Sequence, residues 1–286
     1  MHLPVQLSQK VVVITGGGRG IGRSIALACA SAGADVVVSA RSKIEIESVA
    51  SEIAHLGKGR SLAIACDVSS SESVGNLFTQ TEKHFGPVFG LICAAGVYGA
   101  IGPFDETSFE EWEEGVRINL IGTARCMHEA LKGMRKRKSG RVILFSGGGQ
   151  AAMPCFSSYV TGKGGIWRLT ETLGAEYAPH GVWINAVTPG AVNTKFLDDL
   201  LAAGPVKVGQ EFYQKSLKQR DEGGVPPQKA AELVMYLLGP DSIGLSGRTL
   251  SAIWDSYREI KDAAAVSKTD LYTMKRVVTP EGGTRN

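Results

Sequence analysis

Short apolar runs rich in β-branched residues alternate with stretches of helical period along most of this chain. No other feature constrains the fold so strongly. VVVIT (11–15) runs straight into glycines, after which Ile21, Ile25, Cys29 and Ala32 share one helical face until Gly33. VVVSA (36–40) precedes a helical stretch over 42–56, and SLAIACD (61–67) precedes one over 71–85. VFGLICAAG (88–96) leads into a long helix through EEWEEGVRINLIGTARCMHEALKGM. RVILFS (141–146) precedes a helix over 158–178, and VWINAVTPG (182–190) follows it. Strands that are apolar on both faces and separated by helices imply an α/β chain with a parallel sheet covered on both sides. Such sheets bind ligands outside the carboxyl ends of their strands, so functional residues are expected just after each apolar run.

Composition narrows the class. With 286 residues, 43% hydrophobic and 21% charged, the chain suits one fairly large domain. Its 36 glycines exceed the roughly 7% of an average protein without any repeat period, so they read as turns and close backbone approaches. A net charge of +3 gives no footprint for nucleic acid or a membrane surface. The densest basic run, Arg135 to Lys138, closes a helix, where cations complement the dipole. Five cysteines, Cys29, Cys66, Cys93, Cys126 and Cys155, are scattered without a Cys-x-x-Cys pair, which argues for buried thiols and against disulfides or a metal site. MHLPVQLSQKVVVI lacks a charged region leading into a long apolar stretch, and no segment reaches the roughly 18 apolar residues of a membrane span. A cytoplasmic location is expected.

TGGGRGIG (15–22) follows the first strand and opens the first helix. It fits G-x-x-x-G-x-G through Gly16, Gly20 and Gly22 better than the G-x-G-x-x-G fingerprint. Either pattern lets backbone approach a pyrophosphate resting on the N–H groups of a helix N-terminus. An acid at the end of the second strand would bind the ribose hydroxyl of NAD. Asp35 has roughly the right spacing but precedes VVVSA, and the carboxyl end carries Ala40 and Arg41 with no acid. Arg19, inside the glycine loop, is a second cation. Two arginines suit a 2′-phosphate, because a guanidinium pairs with phosphate through a fixed fork of donors. NADP(H) is therefore expected over NAD(H), with two surface arginines as the plain alternative.

Taken together, these motifs resemble the classical short-chain dehydrogenases/reductases. The resemblance rests on TGGGRGIG, CDV (66–68), CAAG (93–96), RINLIG (117–122), Ser146, YVTGK (159–163) and NAVTPGAVNT (185–194), in the family's order over about residues 8–255. It implies a single Rossmann-like doubly wound parallel sheet of about seven strands with helices on both faces. It further implies a tetrad of Asn119, Ser146, Tyr159 and Lys163. Tyr159 would exchange a proton with the substrate oxygen, Ser146 would hydrogen-bond that oxygen, and Asn119 would hold a water that passes the proton outward. A free tyrosine titrates near pH ~10, so Lys163, one helical turn on, would lower it and also hold the nicotinamide ribose. Cofactor contacts carried over by position are Gly16, Arg19, Gly20, Ile21, Gly22, Arg41, Ala95, Gly96, Tyr159, Lys163, Pro189, Gly190 and Val192. Asp67 and Val68 would meet the adenine, and Thr194 the carboxamide; a helix-cap aspartate and a loop threonine are the plain alternatives. No metal is implied.

The chain also departs from the pattern. Ala94 replaces an asparagine that ties the fourth strand end to its neighbours, which questions local rigidity. Phe145 replaces a serine, Thr161 and Gly162 stand before the lysine, and Gly147 to Gly149 make the next loop pliable. Gln150, Met153 and Phe156 are candidates for the substrate side, or for packing. Read as one domain over 1–286, the chain divides into a core (8–194), a lid (195–227), a last helix and strand (228–255) and a C-terminal extension (256–286). The lid amines Lys207, Lys215, Lys218 and Arg220 would meet an anionic substrate or lie on a solvated face. The extension would cross the active-site mouth or pack on a partner subunit. The expected activity is the NADP(H)-dependent interconversion of a small-molecule ketone and a secondary alcohol by a homodimer or homotetramer. The alternative is a non-catalytic NADP(H)-binding regulator on the same scaffold.

Overall fold

In the first strand Val12 and Ile14 turn to one face of the sheet and Val13 to the other, and all three are fully buried. The second strand repeats the division with Val36 and Val38 against Val37. This period of two places half of each apolar run in each of two cores. The computed structural model describes residues 5–148 and 150–276; Gly149 and residues 277–286, the end of the extension, lie outside the described residues, as do residues 1–4 of the N-terminal segment.

Seven parallel strands form one sheet in the order β3-β2-β1-β4-β5-β6-β7. They are β1 (Val11–Thr15), β2 (Asp35–Ala40), β3 (Ser61–Ala65), β4 (Val88–Cys93), β5 (Gly140–Phe145), β6 (Val182–Thr188) and β7 (Arg248–Ser251). One face is covered by α1 (Gly20–Ser31), α2 (Lys43–Leu56) and, further along the chain, a helix over Pro227–Leu238. The other is covered by α3 (Ser71–Phe85), a broken helix of α4 (Phe109–Val116) and α5 (Thr123–Arg137), and α6 (Ser157–Tyr177). Two further helices, α7 (Lys195–Val208) and α8 (Gln210–Glu222), stand above the carboxyl ends of the strands; α9 (Pro227–Leu238) is the helix just described, and α10 (Ala263–Val266) lies in the extension. Each buried Val, Ile or Leu contributes about 1.5–3 kcal/mol. The strand order reverses between β1 and β4, and that is where such a sheet opens a crevice.

Two local outcomes differ from the sequence reading, and a third completes it. Ser42 is not the first helical residue of its stretch but the N-cap of α2, accepting from the Glu45 N–H at 3.4 Å. The long helix is interrupted by a π-helical turn, Arg117–Gly122, between α4 and α5. Helical periodicity is blind to such a break, because it registers faces and not hydrogen-bond partners. Asp35, at the amino end of its strand, is engaged by Arg60 through two hydrogen bonds of 2.8 and 2.6 Å.

None of the extension's described residues, 256–276, lines the clefts described below; the rest of it lies outside the described residues. The buried Arg248 guanidinium donates to the carbonyls of Ser267 (2.7 Å) and Thr269 (2.8 Å), and the Thr249 N–H to that of Tyr272 (3.0 Å). All five cysteines are free thiols. Among the described residues no helix is long and apolar enough to cross a membrane.

Candidate active site

The nucleotide side of the site is shaped by missing side chains. Gly16 has φ +69°, and a Cβ there would stand 2.5 Å from the Ala95 nitrogen. A Cβ on Gly22 would stand 2.2 Å from the Gly16 carbonyl oxygen. The turn therefore packs as backbone on backbone. The first N–H groups of α1 receive no side-chain cap from Arg19 and there is no acid in the first turn, which leaves their donors for an anion. A cleft of about 450 Å³ opens over this turn. Its walls include Gly16, Arg19, Gly20, Ile21, Gly22, Arg41, Asp67, Val68, Ala95, Gly96 and Thr194. Burial pushes the Asp67 carboxyl up, but hydrogen bonds from Ser69 and the charges of Arg41 and Arg117 outweigh it and hold the group below the usual range. Uncapped donors, a glycine cradle and an ionised Asp67 beside Arg41 fit a dinucleotide.

A charged wall residue, Glu45, escaped the sequence reading. Glu45 lines the cleft from the first turn of α2 and pairs with Arg19 at 3.2 Å. The expectation of two arginines with no acid nearby is thus corrected: Glu45 pairs with Arg19, and Arg41 acts on the Asp67 carboxylate. The signal was present, since Ser42-x-x-Glu45 reads as a capping box; the glutamate turns to the arginine across the cleft.

The four residues expected to react come together where β4, β5, α6 and the π-helical turn meet. Tyr159 and Lys163 lie one turn apart on α6, with the Lys163 amine 5.7 Å from the Tyr159 ring centre. That amine donates to the Phe145 carbonyl at 2.9 Å, and burial pushes it down to about 8. The Tyr159 hydroxyl is pushed up, first by burial and then by neighbouring Tyr98. The Lys163 amine, bonded to the Phe145 carbonyl, is not among the causes of that shift. Ser146 is fully buried and its hydroxyl donates to the Lys163 carbonyl at 2.9 Å, not into a cavity. A buried hydroxyl takes whatever acceptor is present. Asn119 uses its side chain as a strut, accepting from the Val97 N–H at 3.0 Å and donating to the Val97 carbonyl at 2.7 Å. The tie absent at Ala94 is thereby supplied from the π-helical turn.

A second cavity of about 440 Å³ adjoins the first and shares Ile21, Gly96 and Thr194 with it. Tyr159, Lys163, Pro189, Gly190 and Val192 line it, as do Gln150 and Met153. Asn119 and Ser146 line neither cavity. Phe156 is fully buried and packs beneath, against Tyr98 and Phe212. α7 and α8 roof the cavity with Phe196, Leu200 and Phe212. The lid amines point elsewhere: Lys215 pairs with Glu211 at 2.8 Å, Arg220 with Asp221 at 2.9 Å, and Lys207 lies exposed. Tyr98, Phe196, Phe212 and Trp254 are wall residues that sequence reasoning missed, and no local motif marks them. Among the described residues no group of His, Cys, Asp or Glu gathers to hold a metal.

A doubly wound sheet with a glycine turn at its switch point and a Tyr–Lys pair in a cavity adjoining the cleft over that turn defines a dinucleotide-dependent oxidoreductase. The short chain dehydrogenase family model matches residues 10–203, and the chain belongs to that family, whose members bind a nicotinamide cofactor. It is 32% identical over 250 residues to the short-chain reductase protein NovJ of Streptomyces niveus, covering 86% of this chain and 94% of that protein. The crystal structure of levodione reductase superposes with a TM-score of 0.79 at 28% identity, over 86% of this chain and 96% of that one. A variant of actinorhodin polyketide ketoreductase, solved with NADPH, superposes with a TM-score of 0.76 at 28% identity, over 86% and 97%.

Proposed function

We propose that the protein is an NADP(H)-dependent reductase or dehydrogenase of a ketone/secondary-alcohol pair, with Tyr159 as its proton donor and acceptor. One observation carries this reading: Tyr159 and Lys163 line a cavity that shares walls with the glycine-turn cleft. When bound, the nicotinamide supplies or accepts the hydride. The remaining work falls to the chain. The high proton affinity of the half-buried Tyr159 hydroxyl keeps it protonated, as a donor to a ketone oxygen must be. Lys163 stands one turn away to hold the ribose and to stabilise a phenolate in the oxidising direction. Ser146 would exchange the Lys163 carbonyl for the substrate oxygen by rotating about one bond, and Asn119 fixes the Gly96–Val97 backbone beside them. Asp67 and Val68 would hold the adenine and Thr194 the carboxamide.

Arg41 at the end of β2 supports NADP(H), as does the NADPH carried by the ketoreductase; the Glu45–Arg19 pair moderates the preference. Relatives named for reducing a dione and a polyketide support a ketone as substrate. A cytoplasmic homodimer or homotetramer completes the reading. Following NADPH oxidation at 340 nm over a ketone panel tests it. Tyr159→Phe is expected to lower kcat by about 10³-fold while NADPH binding stays within a factor of about 2. Equal turnover by the variant sinks the assignment, and nucleotide binding without turnover in either protein points to the regulator.

A further inference from the structure

The cavity under α7 and α8 has a chemical character beyond its position. Tyr98 is the hub of its rings, with centres 4.9 Å from Phe196, 5.0 Å from Tyr159 and 5.1 Å from Phe156. Lys163 is the one lysine, arginine, aspartate or glutamate among the described residues lining it, and its amine is held by the Phe145 carbonyl. The Lys195–Asp199 pair (2.5 Å) borders the nucleotide cleft instead. Beyond that amine, already bonded to a carbonyl and set beside Tyr159, an anionic substrate group would meet no counter-ion, which is the costly way to bury a charge.

The neutral polar groups of the roof are already used. Ser216 donates to the Phe212 carbonyl at 2.8 Å and Gln219 to the Asn193 amide oxygen at 3.0 Å. A polyol would therefore find no side-chain partner in Ser216 or Gln219, and its hydroxyls would have to share Gln150, Thr194 and the two tyrosines among an otherwise apolar lining. Trp254, at the mouth, is 85% exposed. Its backbone is nonetheless fixed: Ser251 Oγ accepts from the Ile253 and Trp254 N–H groups at 3.2 and 3.1 Å, and Asp255 accepts from the Ser251 N–H at 2.6 Å. A large indole held bare on an ordered turn, at the rim of an apolar cavity, is a surface arranged for a ligand to cover.

We propose that this cavity takes an uncharged ring ketone, clasped between Tyr98 inside and Trp254 at the mouth. The assignment rests on the reading of the site as a ketone reductase. About 440 Å³ accommodates one or two rings, at the lower end of small-molecule sites.

The test uses the full chain and three ketones: methyl 4-oxocyclohexanecarboxylate, the corresponding free carboxylate, and open-chain methyl 5-oxohexanoate. Binding is followed by tryptophan fluorescence with NADP+ present, and reduction by NADPH oxidation. The ring ester is expected to exceed the carboxylate by about 100-fold and the open chain by about 10-fold in both readouts. Trp254→Ala, at a solvent-facing position that leaves the fold alone, and Tyr98→Leu are expected to erase the ring-over-chain preference while keeping ester over carboxylate. Equal or better binding of the carboxylate or the open chain, or no binding of any of the three, overturns the assignment. Reduction with that reversed order leaves the ketone-reductase reading standing. The expected binding order without NADPH oxidation upholds the cavity's character and removes the reductase reading instead.

Discussion

The two halves of the site are built by opposite means. Over β1 to β3 the cleft owes its form to atoms that are missing, since Gly16 and Gly22 leave no room for a methyl group. Over β5 to β7 the cavity owes its form to large side chains: Tyr98, Phe196 and Phe212, with a buried amine beneath them. A cofactor common to many enzymes is met by backbone, which varies little with sequence. A substrate particular to one enzyme is met by side chains, each of which sequence change can replace separately.

That contrast can be broken at either end. Gly22→Ala is expected to have the largest effect, costing about 4 kcal/mol of unfolding free energy together with nucleotide binding, because its methyl group would sit on the Gly16 carbonyl. Denaturant titration with and without NADPH reads both losses. A stable variant that binds normally would show that the turn can yield around the Gly16 carbonyl.

Next comes the buried amine. Burial lowers Lys163 from 10.5 to about 8, so between those values the unfolded chain binds the extra proton and stability rises with pH. Below pH about 8 the full penalty of burying the charge is present, and above about 10.5 it has vanished. Wild type is thus expected to gain roughly 3 kcal/mol on Lys163→Met across that window. Parallel stability curves for the two proteins would contradict the burial argument.

The smallest effect concerns the rim of the nucleotide half, where side chains do enter. Glu45→Gln frees Arg19 and is expected to lower the KM for NADPH about 2- to 5-fold while leaving that for NADH unchanged, as suits an exposed ion pair. An unchanged ratio of the two KM values would remove Glu45 from cofactor choice.

The same contrast explains what could be read from the chain. The glycine turn, the strands and the Tyr159–Lys163 spacing are local patterns, so they are legible in the sequence. Glu45 meets Arg19 from 26 residues away, and Tyr98 meets Phe196 across the whole catalytic segment. No window of sequence contains such pairs. The inward turn of the Ser146 hydroxyl was illegible for another reason: its position is fixed by the strand, but its partner is chosen by whichever acceptor is present. The π-helical turn at Asn119 leaves the helical face pattern nearly intact, so only the strut to Val97 reveals its purpose.

β7 ends the sheet, and an end strand is where a sheet recruits further strands. Here the chain has taken that place for itself. The Tyr272 carbonyl occupies the Thr249 N–H, and Arg248 anchors the neighbouring turns through Ser267 and Thr269. A strand from another molecule would have to peel this segment away before it could add, so the extension works as a stopper against growth of the sheet.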